Sequence, residues 1–253
     1  MEQVKFRMYA TLLDSYQNYL DSDLIWSKYW GWSENPPHTC EEFKQIQFQS
    51  LIDKINRVPF DSEAADKGTA FNEVIDCMVK HQNSKTMLIT KALTNEGVVC
   101  GINAFLNGRT FYFPMGLVRW YSQYYEGALP QQYVQAILPT MYGNVLLYGY
   151  IDYLMPFCTH DLKTTRQYTV GKYKRHWQHR VYPYALMKNG CDIMDFEYNI
   201  SEIGKTYYRN YTESYTFKPE RDIPLLTQHC EDIIKFLLDN RSLITDKKIF
   251  NLA

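Results

Sequence analysis

The sequence predicts an α+β domain, a central mixed sheet flanked by helices. Tyr9, Leu12, Leu13, Tyr16, Leu20 and Leu24 recur at helical spacing, short β-branched and aromatic runs crowd between Met87 and Thr164, and helical periodicity returns over Ile223–Leu238. The chain has 253 residues, 45% of them hydrophobic, enough to bury one large core. Residues 1–60 read as an N-terminal helical region packed on a core of residues 61–253, the two forming one compact unit.

Each element has a local reason. Residues 9–30 read as a helix, and Trp30–His38, with Pro36 and Pro37, reads as a loop. A second helix covers residues 40–57, on the spacing of Phe43, Ile46, Phe48, Leu51 and Ile55. A third, capped by Asp61 or Asp66, runs to about His81. Met87–Leu93, Gly97–Ile102 and Thr110–Phe113 predict strands, and a helix lies around Val118–Glu126. Three further strands follow at Tyr133–Pro139, Val145–Met155 and Phe157–Thr164, punctuated by Gly143-Asn144 and Pro156. Tyr168–Met187 reads as a helix loosened late by Pro183, and Asp195–Asn199 with Thr206–Phe217 as a hairpin.

Composition narrows the function classes. The net charge of −1 argues against a simple electrostatic nucleic-acid binder. Its distribution says more, because no Asp or Glu occurs from Leu162 to Cys191, where Lys163, Arg166, Lys172, Lys174, Arg175, Arg180 and Lys188 stand. Such a basic face tracks a phosphate backbone, or is simply solvated. The 22 tyrosines suit surfaces that grip polar ligands, and also serve as ordinary sheet material. The start Met1–Arg7 lacks the pattern of a signal peptide, and no apolar run is long enough for a membrane span. The six scattered cysteines, with no C-x-x-C pair, read as reduced thiols. A cytoplasmic protein without a membrane partner is expected, in which the sequons at Asn199 and Asn210 are chance matches.

The chemistry-bearing stretch is residues 149–182. Asp161 and Lys163, one residue apart on a strand, share a face, with Leu162 turned to the opposite side. Asp152 lies on the preceding strand, so two carboxylates meet at one end of a hairpin. Mg²⁺ between them relieves their repulsion and supplies a hard Lewis acid, with the carbonyl of Leu162 as a third ligand. Lys163 then holds the attacking water or stabilises charge on a phosphate. Gln178 and Tyr182, four apart on a helix, stack on one face and touch phosphates or the water network. Taken alone, that pair is better explained by an ordinary amphipathic helix.

In chain order the motifs are Lys67-Gly68-Thr69-Ala70-Phe71-Asn72 with Asp76, Gly149-x-x-Asp152, Asp161-x-Lys163 and Gln178-x-x-x-Tyr182. This order resembles the RecB-like branch of the PD-(D/E)XK nuclease superfamily, which includes phage-type exonucleases. The resemblance spans roughly residues 62–190, and more weakly Thr11–Tyr16. It implies a restriction-endonuclease-like core and a Mg²⁺-dependent deoxyribonuclease, most simply an exonuclease, working in DNA replication, recombination or repair. Mn²⁺ is the substitute metal, and DNA and a recombination or replication protein are the implied partners.

By position, the resemblance makes Asp152 and Asp161 the metal-binding acids and Lys163 the catalytic lysine, with Gln178 and Tyr182 as the motif on the following helix. Arg166, Lys172, Lys174, Arg175 and Arg180 then hold the nucleic-acid backbone. The family's first helix carries histidine where this chain has Asn72; an amide oxygen still ligates Mg²⁺, assisted by Asp76 one turn on, with Glu73 as a fallback acid. Some members hold an iron–sulfur cluster through a tight late cysteine group; here Cys191 and Cys230 are far apart, so none is expected.

Other readings compete. The departure at Asn72 motivates a nuclease-derived fold that binds DNA or protein without cutting, and a tyrosine-rich domain with coincidental motifs is the blandest reading. His160, His176 and His179, with Cys158, invite a zinc site; histidines in a basic helix are more simply nucleic-acid contacts or surface residues. Trp26, Tyr29, Trp30 and Trp32, like Tyr121, Tyr124 and Tyr125, either stack on bases or pack the core. No G-x-S-x-G or Gly-rich phosphate loop occurs.

Overall fold

An eleven-residue strand, β6 (Asn144–Leu154), organises the molecule because three other strands pair with it. The computed structural model describes residues 3–204 and 206–251, so the two ends of the chain, 1–2 and 252–253, lie outside the described residues. β5 (Leu129–Leu138) runs antiparallel along one edge of β6. The other edge is shared. β1 (Val4–Tyr9) pairs parallel with residues 144–148, and β7 (Cys158–Thr165) pairs antiparallel only at Tyr153↔His160 and Leu154↔Thr159. Beyond that contact β7 diverges and runs parallel to β8 (Asp195–Ile203), which pairs antiparallel with β9 (Tyr208–Thr216). The sheet therefore forks at residues 149–152 of β6.

Helices cover both faces, and the fold is α+β. On one side α1 (Ala10–Leu20), α3 (Cys40–Ile55), α6 (Gln178–Lys188) and α7 (Pro219–Asp239) bury Leu12, Leu13, Leu51, Val181 and Ile233 against Val145, Leu147, Ile151 and Ile200. On the other, α4 (Glu63–Lys80) and α5 (Met115–Tyr124) pack Phe71, Ile75, Leu117 and Tyr121 against Tyr153 and Leu162. A small antiparallel sheet, β2 (Leu88–Leu93), β3 (Val99–Leu106) and β4 (Arg109–Pro114), closes this second core through Ile102, Ala104 and Phe113. Among the described residues, no helix is long and apolar enough to cross a membrane.

Several sequence expectations need correction. The predicted helix over residues 9–30 is two helices, α1 and α2 (Ser22–Trp30), separated at Asp21, and it is preceded by a strand. The N-terminal region is thus not purely helical: β1 alternates Phe6 and Met8 inward and lies within the main sheet. Ser62, not Asp61 or Asp66, caps α4 by accepting from the Ala65 amide at 3.3 Å. Both aspartates instead pair with Arg109 of β4. The predicted helix from Tyr168 forms only from Gln178 onward. Three side chains from elsewhere capture the preceding amides: Glu202 takes Tyr168 N at 2.9 Å, Glu213 takes Tyr173 N at 3.2 Å, and Asp14 takes Trp177 N at 2.5 Å. The Tyr173 and Trp177 amides are thereby lost to a helical ladder, and Gly171, at φ +78°, turns the chain.

Candidate active site

The fork in the sheet creates the site. Where β7 leaves β6, its amides lose their strand partners, and the Asp152 carboxylate replaces one of them. Leu162 N donates to Asp152 Oδ2 at 2.9 Å. Asn72 on α4 reaches the same oxygen with Nδ2 at 3.2 Å. Alternation along β7 sends Leu162 into the α4–α5 core and turns Asp161 and Lys163 toward α6. There Lys163 Nζ lies 2.6 Å from Asp161 Oδ2 and donates to Gln178 Oε1 at 3.0 Å. Gln178 Nε2 donates to Asp161 Oδ1 and lies 3.4 Å from the Tyr182 hydroxyl. Gln178 thus bridges acid and lysine while Tyr182 backs its amide.

These groups share one cavity of about 590 Å³, lined also by Gly68, Gly149, Thr164 and the first residues of α1. Ala10 and Thr11, at the start of α1, line the cavity, and this helix end has no side-chain cap, which makes it a favourable neighbour for an anion. Gly149 matters through close approach: a Cβ there would lie 2.8 Å from Cε1 of Tyr182. Gly149→Val is expected to cost about 1–3 kcal/mol by overpacking. Denaturant unfolding checks this; an unchanged midpoint would show that Tyr182 has room to move.

The electrostatics are uneven. Burial raises the Asp152 pKa to about 7, the nearby charge of Asp161 adds to the rise, and Lys163, Leu162 N–H and Asn72 oppose it. Burial pulls Lys163 downward, but Asp161 and Asp152 outweigh it and hold the lysine above its ordinary value, hence protonated. Burial and Asp161 push the Tyr182 phenol well up, so it stays neutral. Asn72 Oδ1 is buried without a hydrogen-bond partner, whereas Asp161 Oδ2 is met by the Lys163 ammonium. Asp152 and the Leu162 carbonyl add oxygens of the donor type that a hard divalent cation such as Mg²⁺ takes.

Other expected site residues lie elsewhere. Asp76 is buried one turn further along α4, beside Tyr153 and 3.5 Å from Lys80, and does not line the cavity. Helical stacking with Asn72 carried it under the sheet, since Tyr153 occupies the opposite face of β6 from Asp152. Glu73 is tied to Ser84. The basic residues are not on a helix as expected, apart from Arg180, and none lines the cavity. Arg180 pairs with Asp222 at 3.1 Å, Arg175 with Asp21 at 2.6 Å, and Arg166 approaches Glu63 at 3.9 Å. Lys172 donates to Thr165 Oγ1 at 2.8 Å, while Lys174 is exposed.

The cation missed from sequence is Arg57, at the rim of the cavity. It adopts φ +56°, pairs with Asp246 and donates to the Tyr148 hydroxyl at 3.2 Å. A neighbouring cavity shares Arg57 and Tyr148 and adds Arg7 and Lys248. No local pattern marked these residues, which the two ends of the chain bring together.

The histidines separate. His179 stacks on Tyr215 and contacts Tyr198, and His176 lies 3.3 Å from Asp14, on the α6 side of the sheet. Cys158 and His160 share the opposite face. The disfavoured zinc reading, His176 and His179 with Cys158 or His160, therefore does not assemble. Of the aromatic groups, Tyr121 and Tyr125 are core residues, Trp30 packs on Phe43, and Trp26 donates to the His38 carbonyl at 2.8 Å. Trp32 and Tyr29 are exposed. All six cysteines are free thiols.

No family model matches this chain, and no curated protein matches it. Among solved structures it is similar to the crystal structure of SSO0001, with a TM-score of 0.46 and 10% identity over 93% of this chain and 79% of that one.

Proposed function

We propose that this protein is a Mg²⁺-dependent nuclease that hydrolyses DNA phosphodiester bonds. The observation that carries the reading is the convergence of Asp152, Asp161, Lys163 and Gln178 from two strands and a helix in one cavity at the fork of the sheet. Asp152, Asp161, the Leu162 carbonyl and Asn72 Oδ1 would hold the ion; Mn²⁺ suits the same donors. When bound, such an ion supplies a Lewis acid and an acidified water.

The chain's own groups do the rest. Lys163, protonated and held by Asp161 and Gln178, orients the attacking water and opposes charge growing on the phosphate. Gln178 fixes the distance between acid and lysine, so neither relaxes away as charge shifts. Asn72 and Leu162 N–H hold the Asp152 carboxylate in one rotamer. Arg57 and the α1 amides stand where the phosphate backbone would pass. The preference for DNA ends, and a place in replication, recombination or repair, rest on the motif order rather than on the cavity.

One observation favours the non-cutting alternative, a nuclease-fold module that binds DNA or a protein. The Asn72 amide donates to the Asp152 oxygen that a metal would also need. Cleavage of end-labelled linear and closed circular DNA in Mg²⁺, Mn²⁺ or EDTA separates the readings. The expected result is metal-dependent loss of linear DNA, reduced about 10²-fold or more in Lys163→Ala. Cutting of the circle as well would make the enzyme an endonuclease. DNA binding with no cleavage under either metal would sink the nuclease reading.

A further inference from the structure

A second constellation of metal-binding side chains lies on the back of the strand that carries Asp161 and Lys163. Cys158 and His160 alternate on β7 and so share a face, and Glu197 of β8 stands beside His160 in the parallel register. One donor atom from each lies within 4.8 Å of the others. The surroundings hold two of them in place. His160 is wedged edge-on against Tyr124 and Tyr125, and its Nδ1 is 3.1 Å from Asn199 Oδ1, which also accepts from the Tyr125 hydroxyl at 2.6 Å. Glu197 accepts from Tyr124 at 3.0 Å and from Ser214 at 3.2 Å.

What the cluster lacks is a cation. Among the described residues Glu197 has no Lys or Arg partner, its one ionic neighbour being His160 at 3.5 Å. The Cys158 thiol donates only to the carbonyl of the next residue, Thr159, at 3.4 Å. We propose that Cys158, His160 and Glu197 bind a Zn²⁺ ion. Thiolate, imidazole and carboxylate are a mixed soft and borderline set that favours zinc over the hard ions suited to the oxygen cluster on the other face. Binding releases the Cys158 proton to solvent, and one thiolate plus one carboxylate balance the two positive charges, leaving a neutral assembly in a half-buried site.

Zinc–ligand distances of about 2.0–2.3 Å place tetrahedral donors roughly 3.3–3.7 Å apart. Donors already within 4.8 Å of one another need to approach by no more than about 1.5 Å for closure. Three protein ligands leave a fourth position for water. The ion would tie β7 to β8 directly behind the fork, bracing the strand that presents Asp161 and Lys163. This inference stands apart from the proposed nuclease activity, since it uses the opposite face.

The test uses the full chain, stripped with a chelator and titrated with Zn²⁺ and, separately, Co²⁺. With excess Mg²⁺ present to occupy the oxygen site, one equivalent of Zn²⁺ is expected to bind, and Co²⁺ to give a thiolate-to-metal charge-transfer band with tetrahedral d–d absorption. Cys158→Ser should abolish the band, and both Cys158→Ser and Glu197→Gln should weaken zinc binding at least tenfold. Asp161→Asn should keep both the band and the stoichiometry. Circular dichroism without metal establishes that each variant is folded; should Cys158→Ser fail to fold, the wild-type spectrum and Glu197→Gln decide. Absence of a thiolate band in the wild type, its persistence in Cys158→Ser, or unchanged zinc affinity in Glu197→Gln would overturn the site.

Discussion

Asp161→Asn is expected to lower DNA cleavage by about 10³-fold or more while leaving DNA binding within a few-fold of wild type, or tighter. The carboxylate is a proposed metal ligand and the anchor of Lys163, so its charge enters the chemistry twice. An amide of the same shape keeps an oxygen for the Gln178 amide but weakens metal binding and leaves Lys163 without its nearest counter-charge. Binding survives because a negative charge beside the phosphate has been removed. Single-turnover cleavage and fluorescence anisotropy on the same folded preparation read both quantities, with thermal melting to control for lost stability. Cleavage within tenfold of wild type would remove Asp161 from the chemistry. If neither wild type nor variant cuts and both bind equally, the non-cutting module is the better description.

With divalent metal chelated, the protein is expected to lose stability as pH rises through about 7, because of Asp152. The sign follows from linkage. Burial and Asp161 raise its pKa in the folded chain above its value in the unfolded one, so the fold holds this proton more tightly. That stabilisation is complete below about pH 4, where both states are protonated, and disappears as pH passes the folded value. Its size is a few kcal/mol at most, since a tenfold difference in proton affinity corresponds to about 1.4 kcal/mol. Mg²⁺ competes with the proton, so its stabilising effect should be larger at pH 8 than at pH 5. Melting curves across that range in EDTA and in Mg²⁺, on wild type and Asp152→Asn, check it. A slope shared equally by Asp152→Asn would assign the pH dependence to other groups.

The part of the candidate site that was legible in sequence is the part set by local periodicity. Asp161 and Lys163 share a strand face, and Gln178 and Tyr182 share a helix face, because residues two apart on a strand or four apart on a helix point the same way. Asp152, on the adjoining strand and ten residues before Leu162, follows from the short connection between them. The same rule misled at Asp76. It aligned the residue with Asn72 but was silent about how far the cavity reaches along α4.

Long-range pairing decided the rest. Local pattern allowed a helix over Tyr168–Trp177; Asp14 and Glu213, distant in sequence, took the Trp177 and Tyr173 amides that such a helix needs. Arg180 belonged to an acid-free stretch, yet Asp222 from α7 neutralises it, because the absence of acids in sequence says nothing about acids in space. Arg57 and Glu197 acquired their places only when the chain returned beside them. By itself the sequence determined the type of most elements, though not of β1 or of residues 168–177, together with the α+β class and the pairing of acid with lysine, all consequences of backbone geometry over a few residues. Only the tertiary structure decided the fork between β6 and β7, where shared pairing along one strand edge leaves a gap that Asp152, Asn72 and the Leu162 amide fill.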